Sequence, residues 1–322
     1  MNWISRWKKI GIKVKQIFKK QTTGKEETDW KSCPQCKKIS YKPDLYSNSY
    51  ICECSFHFDL PPKIRLDNLF DSAYELIDAP ENINPDPLNF EVAERYKYID
   101  KIKKYRKTTG QKTALLCASG IISNLKAVVV CFNPKFGAGR FGPAENEHFL
   151  KATDVAIEKK VDIWIVVYQS SGIDVHTGVT GLAGMTKSII AMNKLKKNGI
   201  PTFAVAARAV AGGTYASSFF QHDFIIIESK CVENLLFSGK RVTANILKST
   251  DQIPDDFGKA PSIIKNGLAD MTLESRKELK ETIANLANII LKKGELVKQD
   301  ESESKIENEQ FPDPLHKTTK TI

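Results

Sequence analysis

Between residues 125 and 229, short uninterrupted apolar runs alternate with longer stretches in which apolar positions recur every three or four residues. "LKAVVVCFN" (125–133) and "DIWIVVY" (162–168) are of the first kind, and their β-branched character predicts strands, the second buried on both faces. "NEHFLKATDVAIEKK" (146–160) and "TGLAGMTKSIIAMNKLKKNG" (180–199) are of the second kind and predict helices, the later one closed by Asn198-Gly199 with Pro201 just beyond. "TFAVAA" (202–207) predicts a further strand, "VAGGTYASSFF" (210–220) opens another helix, and "DFIIIES" (223–229) is a strand again. Repeated strand–helix pairs with short connections make an α/β domain with a largely parallel sheet, and no solenoid-length repeat is present.

Four regions follow from this pattern. Residues 1–30 form a basic lead in which Trp3, Trp7, Ile10, Val14 and Phe18 recur at helical spacing with lysines opposite. Residues 31–60 hold paired cysteines, residues 61–295 form the main α/β body, and residues 296–322 are polar and predicted to be disordered. Charge changes this picture in one place. The chain has a net charge of +10, and residues 1–32 hold nine Lys/Arg against three Asp/Glu, so an anionic partner fits there. No apolar stretch approaches the roughly 20 residues of a membrane span, and the lead lacks a signal-peptide core, which predicts a cytoplasmic protein.

The seven cysteines sort by spacing. Cys117, Cys131 and Cys231 lie singly in apolar segments and read as small core residues in a reducing compartment. "CPQC" and "CEC" are different. Cys33, Cys36, Cys52 and Cys54 resemble a zinc ribbon, four thiolates on two turns around a closed tetrahedral structural site, although the second pair is one residue short of the usual spacing. His57 stands close behind as an alternative ligand.

Two strand exits run into small residues. In "VVYQSSGIDV" (166–175) an apolar strand breaks into Ser170-Ser171-Gly172-Ile173, and the next strand ends in Gly212-Gly213. Small residues there leave backbone N–H groups open to a ligand, and fixed amides stabilise an oxyanion without reorganising. The alternative is that both corners are merely tight strand-to-helix turns whose glycines permit close packing. A third cluster, Gly137, Gly139 and Gly142, satisfies a GxGxxG spacing, but no preceding βαβ unit supports a dinucleotide fold, so it reads as a loop against which a coenzyme or acyl group lies. Of His148, His176 and His222, none is assigned as a catalyst, and His176, four residues past Gly172, is the one nearest a corner.

"MNWISR" (1–6), the cysteine segment 30–54, "FGAGRFG" (136–142), "KNGIPTFAVAARAVAGGTYASSFF" (197–220), "LFSGKRV" (236–242) and "PSIIKNGLADM" (261–271) occur in one order. In that order and spacing the chain resembles the β subunits of bacterial acetyl-coenzyme A carboxylase carboxyltransferase, from Met1 to about residue 290. The resemblance implies a crotonase-like (ClpP/crotonase) fold with an N-terminal zinc ribbon, and transfer of a carboxyl group from carboxybiotin to acetyl-coenzyme A to give malonyl-coenzyme A for fatty acid biosynthesis. It implies structural zinc, biotin on a separate biotin carboxyl carrier protein, a carboxyltransferase α subunit in an α2β2 heterotetramer, and biotin carboxylase in the full complex. Ser171, Gly172 and Ile173 would then form one oxyanion corner, and Gly212 and Gly213 the other. Where the family usually reads Ser-Gly-Gly-Ala-Arg-Met, this chain has Ser170-Ser171-Gly172-Ile173-Asp174-Val175, so Asp174 reverses a charge beside the pocket. Two other readings remain at this point: a non-catalytic paralogue that binds a partner as a structural subunit, and a ribbon-directed nucleic-acid binder that uses the basic lead and is distinguished by salt-dependent binding.

Overall fold

The computed structural model describes residues 29–92, 96–228, 235–248 and 253–291. The amphipathic helix expected in the basic lead, Cys231 and the polar tail lie outside the described residues. The chain divides into two compact units between Asp59 and Leu60.

In the first unit, β1 (Trp30–Ser32) pairs antiparallel with β2 (Ile39–Tyr41), and α1 (Lys42–Ser47) follows. Its core is small: Cys33, Leu45, Cys52 and Phe58 are buried, with Tyr50, Cys54 and Phe56 packed against them. So few apolar side chains hold a unit of this size only weakly, which is where a cross-link or metal adds most.

The second unit opens with α2 (Pro62–Leu69) and β3 (Glu75–Ile77), then a short pair, β4 (Glu91–Val92) and β5 (Tyr96–Lys97), and α3 (Tyr98–Thr109). A hairpin of β6 (Leu115–Ile122) and β7 (Leu125–Phe132) leads through β8 (Arg140–Phe141) to α4 (Pro143–Glu158). The central strand β9 (Ile163–Ser170) is followed by β10 (Gly172–Ile173), α5 (Gly178–Lys197) and β11 (Thr202–Ala211). After α6 (Gly212–Ala216) come β12 (Phe224–Glu228), β13 (Leu235–Leu236), α7 (Lys240–Leu247), α8 (Ala260–Lys265) and β14 (Met271–Leu273). A last helix covers residues 279–291.

The main sheet runs β14-β12-β11-β9-β7-β6-β3, with β13 beside β11. From β7 to β14 every pairing is parallel, while β7–β6 and β6–β3 are antiparallel. Ser123 and Asn124, both with positive φ, close the β6–β7 hairpin as a two-residue turn whose twist suits the flanking strands. Helices cover both faces, and the strand sequences show it. Along β9, Trp164, Val166 and Tyr168 enter the core formed with α4, α5 and α8, while Ile163, Ile165 and Val167 enter the opposite core with α2 and the last helix. β11 repeats the division, with Ala204 and Ala206 on the first side and Phe203 and Val205 on the second. A strand flanked by two cores has no polar face, so its run of apolar residues is unbroken.

The expected helix over 210–220 is shorter than its sequence suggests. Val210 and Ala211 still belong to β11, α6 spans only five residues, and a 3₁₀ turn follows at Phe219–Gln221. The strand is longer because its register against β9 shifts between Ala206 and Val210, a bulge that redirects the chain before Gly212.

Candidate functional site

The site begins where β9 ends. The Ser170 hydroxyl donates to the Gly139 carbonyl at 2.7 Å and accepts from the Gly172 N–H at 3.1 Å, and the Ser171 N–H donates to the Ala138 carbonyl at 3.0 Å. β10 then pairs in parallel with β8, Gly172 opposite Arg140 and Ile173 opposite Phe141. The glycine-rich loop therefore holds the first corner along its length. Gly172 has φ +109°, and a Cβ on it would lie 2.8 Å from the Ala211 carbonyl oxygen. Gly212 has φ +57°, and a Cβ there would come 3.6 Å from Gly172 Cα. Gly213 cannot carry a side chain either, since its Cβ would meet Ile173 Cγ1 at 2.3 Å. The two predicted corners, 170–173 and 211–213, are thus in direct contact.

Their amides are not all open. The Ser171 and Gly212 N–H groups, expected as oxyanion donors, are taken up by the carbonyls of Ala138 and Phe237. The Asp174 N–H donates to the Phe141 carbonyl at 3.2 Å. Ser171 is not among the residues with positive φ, so its side chain carries no left-handed strain. In the loop, Gly137, Ala138 and Gly139 all have positive φ; a Cβ on Gly139 would fall 1.8 Å from the Gln169 carbonyl, and one on Gly142 would fall 2.1 Å from Arg140 Nη2. These two glycines serve close packing within the protein.

Asp174 corrects an expectation. It does not present a reversed charge to the pocket: it is 6% exposed, and its carboxylate meets Arg140 Nη2 at 2.7 Å and the Tyr98 hydroxyl. The other carboxylate oxygen accepts from the His176 backbone N–H at 3.1 Å and contacts His176 Nδ1 at 2.8 Å. Tyr98 stacks on the His176 ring at 4.1 Å, and burial together with the Asp174 carboxylate holds the Tyr98 hydroxyl well above the ordinary phenol range despite Arg140 beside it. Glu145 completes the cluster: it lies 3.5 Å from Arg140 Nη2 and accepts from the N–H groups of Ala114 and Gly142, each at 3.0 Å. Sequence reasoning missed Arg140, Tyr98 and Glu145, whose only signal was a charged residue inside a glycine-rich turn.

His148 and His222 are core residues. His148 is held between the Thr113 hydroxyl and the Ile77 carbonyl, and burial keeps His222, 3.0 Å from the Tyr168 hydroxyl, neutral by drawing it down to about 3.

In the first unit the sulfurs of Cys33, Cys36, Cys52 and Cys54 all lie within 4.8 Å of one another, with Cys33–Cys54 and Cys36–Cys52 at 3.7 Å. Metal–sulfur bonds of about 2.3 Å in a tetrahedron put sulfurs about 3.8 Å apart, so the four thiols fit a single metal ion. The shortened Cys52-x-Cys54 spacing does not prevent this, because the Ser55 N–H donates to the Cys52 carbonyl in a turn where Ser55 has positive φ. His57 is not part of the cluster. Burial raises the Cys33 thiol, but the N–H groups of Cys36 and Gln35 outweigh it and bring it down to about 7, whereas burial pushes Cys54 up to about 12. One proton leaves easily and the later ones do not, unless a cation takes their place.

Residues 89–318 match the model of the carboxyl transferase domain family. The chain belongs to that family. Within it, the chain is 33% identical over 308 residues to the acetyl-coenzyme A carboxylase carboxyl transferase subunit beta of Pelagibacter ubique (strain HTCC1062), covering 94% of this chain and 96% of that protein. The larger unit has the crotonase-like fold, which solved structures of low sequence identity share. The Pseudomonas malonate decarboxylase hetero-tetramer in complex with malonate gives a TM-score of 0.55 at 17% identity, covering 72% of this chain and 82% of that chain. Transcarboxylase 12S with hydrolysed methylmalonyl-coenzyme A bound gives 0.54 at 19% identity, covering 71% of this chain and 41% of that chain. No described helix is long and apolar enough to cross a membrane.

Proposed function

We propose that this chain is a β subunit of acetyl-coenzyme A carboxylase carboxyltransferase, which transfers a carboxyl group to the methyl carbon of acetyl-coenzyme A and releases malonyl-coenzyme A. The observation that carries this reading is the contact of the Gly172 and Gly212 corners in a chain of this family. A thioester becomes a carbon nucleophile when its α-proton passes to a base, which biotin freed of its carboxyl group would supply, and the charge then sits on the thioester oxygen. The Ile173 and Gly213 amides are the donors assigned to that oxygen, with Ser171, Gly172 and Gly212 shaping the corner around them. One such donor stabilises the transition state by about 3 to 4 kcal/mol. Gly137, Gly139 and Gly142 form the loop along which the coenzyme A thioester lies. Carboxybiotin on a biotin carboxyl carrier protein supplies the carboxyl group.

Cys33, Cys36, Cys52 and Cys54 hold zinc in a structural role. Large exposed apolar side chains flank both corners: Val175, Val179 and Leu182 after the first, Phe237 beside the second, where its carbonyl accepts the Gly212 N–H. The partner assigned to them is a carboxyltransferase α subunit in an α2β2 assembly, with biotin carboxylase in the complete complex. Buried, unpaired Cys117 and Cys131 in neighbouring strands suit the reducing cytoplasm. The test is to combine the protein with an α subunit, carboxylated carrier protein and acetyl-coenzyme A and measure malonyl-coenzyme A. Product formation is expected; failure with every acyl thioester tried sinks the reading in favour of a structural paralogue.

A further inference from the structure

We infer that the buried Arg140–Asp174 ion pair, with Tyr98 and Glu145, is a positioning device that sets the Gly172–Ile173 corner for carboxyl transfer. The inference rests on the function proposed above. Asp174 directly follows Ile173, so its fixed carboxylate, together with its N–H bonded to the Phe141 carbonyl, anchors the end of the Gly172–Ile173 corner one peptide beyond the one that carries the Ile173 N–H. Four contacts fix that carboxylate: Arg140 Nη2 at 2.7 Å, the Tyr98 hydroxyl, and the backbone N–H and Nδ1 of His176 at 3.1 and 2.8 Å. Arg140 is itself opposite Gly172 in the β8–β10 pairing, so side chain and backbone reinforce the same register. Glu145 extends the linkage to the Ala114 and Gly142 amides.

The side chains of Arg140 and Asp174 are 5% and 3% exposed. Burying two charges costs several kcal/mol per ion before their attraction is counted, so such a pair adds little net stability and is better explained by the geometry it enforces. The carboxylate at 174 has its cation 34 positions earlier in the chain, on the strand that pairs with the corner.

The experiment compares wild type, Asp174→Asn and Arg140→Lys in complex with an α subunit, reading kcat, KM for acetyl-coenzyme A, and backbone hydrogen exchange. Asp174→Asn keeps the shape and removes the charge. It is expected to lower kcat by about tenfold to a hundredfold, leave KM within about twofold, and speed exchange at residues 172–177 while residues 125–132 and 163–168 stay protected. Arg140→Lys keeps the charge without the planar fork and is expected to fall between the two. Unchanged kcat, or exchange that rises throughout the sheet, overturns the inference. If wild type itself makes no malonyl-coenzyme A, the carboxyl-transfer reading fails, and exchange at 172–177 alone decides: a local rise in Asp174→Asn sustains the positioning role, and unaltered protection ends it.

Discussion

One glycine and one histidine show how tightly single residues are constrained here. Gly172 has a φ that L side chains rarely adopt, and its missing Cβ leaves room for the Ala211 carbonyl. Gly172→Ala is therefore expected to cost about 1 to 2 kcal/mol from the backbone alone, to push the corners apart, and to abolish product formation. Urea unfolding followed alongside the carboxyl-transfer assay checks both; full activity in a stably folded variant contradicts the role given to the corner. His222 is constrained electrostatically. Burial lowers its folded pKa to about 3, below the ordinary 6.5, so the unfolded chain binds a proton that the folded chain refuses. Stability contributed by the neutral ring is present above pH 6.5 and is lost as pH falls toward 3, with a slope of up to about 1.4 kcal/mol per pH unit. His222→Gln is expected to flatten that part of a stability–pH curve measured by urea titration; an unaltered curve refutes it.

Among the elements, legibility follows how local the determining physics is. β7 and β9 could be read directly, because a strand with a core on each face has nowhere to put a polar residue. α5 was readable at its end, where Asn198 and Gly199 close it and Gly199 takes φ +67°. The start of α4 was not: it begins at Pro143, three residues before the periodic stretch, because proline suits a first turn and Glu145 caps the Gly142 N–H. The two glycine corners were visible as interruptions in strands, but their contact depends on the bulge in β11, which has no local signature. Arg140 and Asp174 were invisible as a pair for the same reason. Arg140 looks like an ordinary loop charge and Asp174 like an isolated one beside the pocket, and only the β8–β10 pairing brings them together.

At the scale of the whole molecule, the two units are held by different means. The unit from Leu60 onward has a core on each face of its sheet, whereas among the described residues of the first the core is Leu45 and Phe58 packed around the thiol cluster itself. Metal is expected at about one ion per chain by elemental analysis, to be released as acid protonates the thiolates, and to be lost in Cys54→Ser. Chelation should expose residues 29–59 to protease while the larger unit resists. A chelator that leaves the first unit equally resistant, or a Cys54→Ser protein that keeps its full metal content, counts against the cluster as its main support.

The alternation along β9 reaches further than its own packing. Removing one residue from the middle of that strand would turn the residues beyond the gap, Tyr168 among them, toward the wrong layer, upsetting both cores in a single event. Divergence along this strand is thereby steered toward exchanges of size and shape at fixed length, while insertions and deletions find room only in surface connections such as the one between β3 and β4.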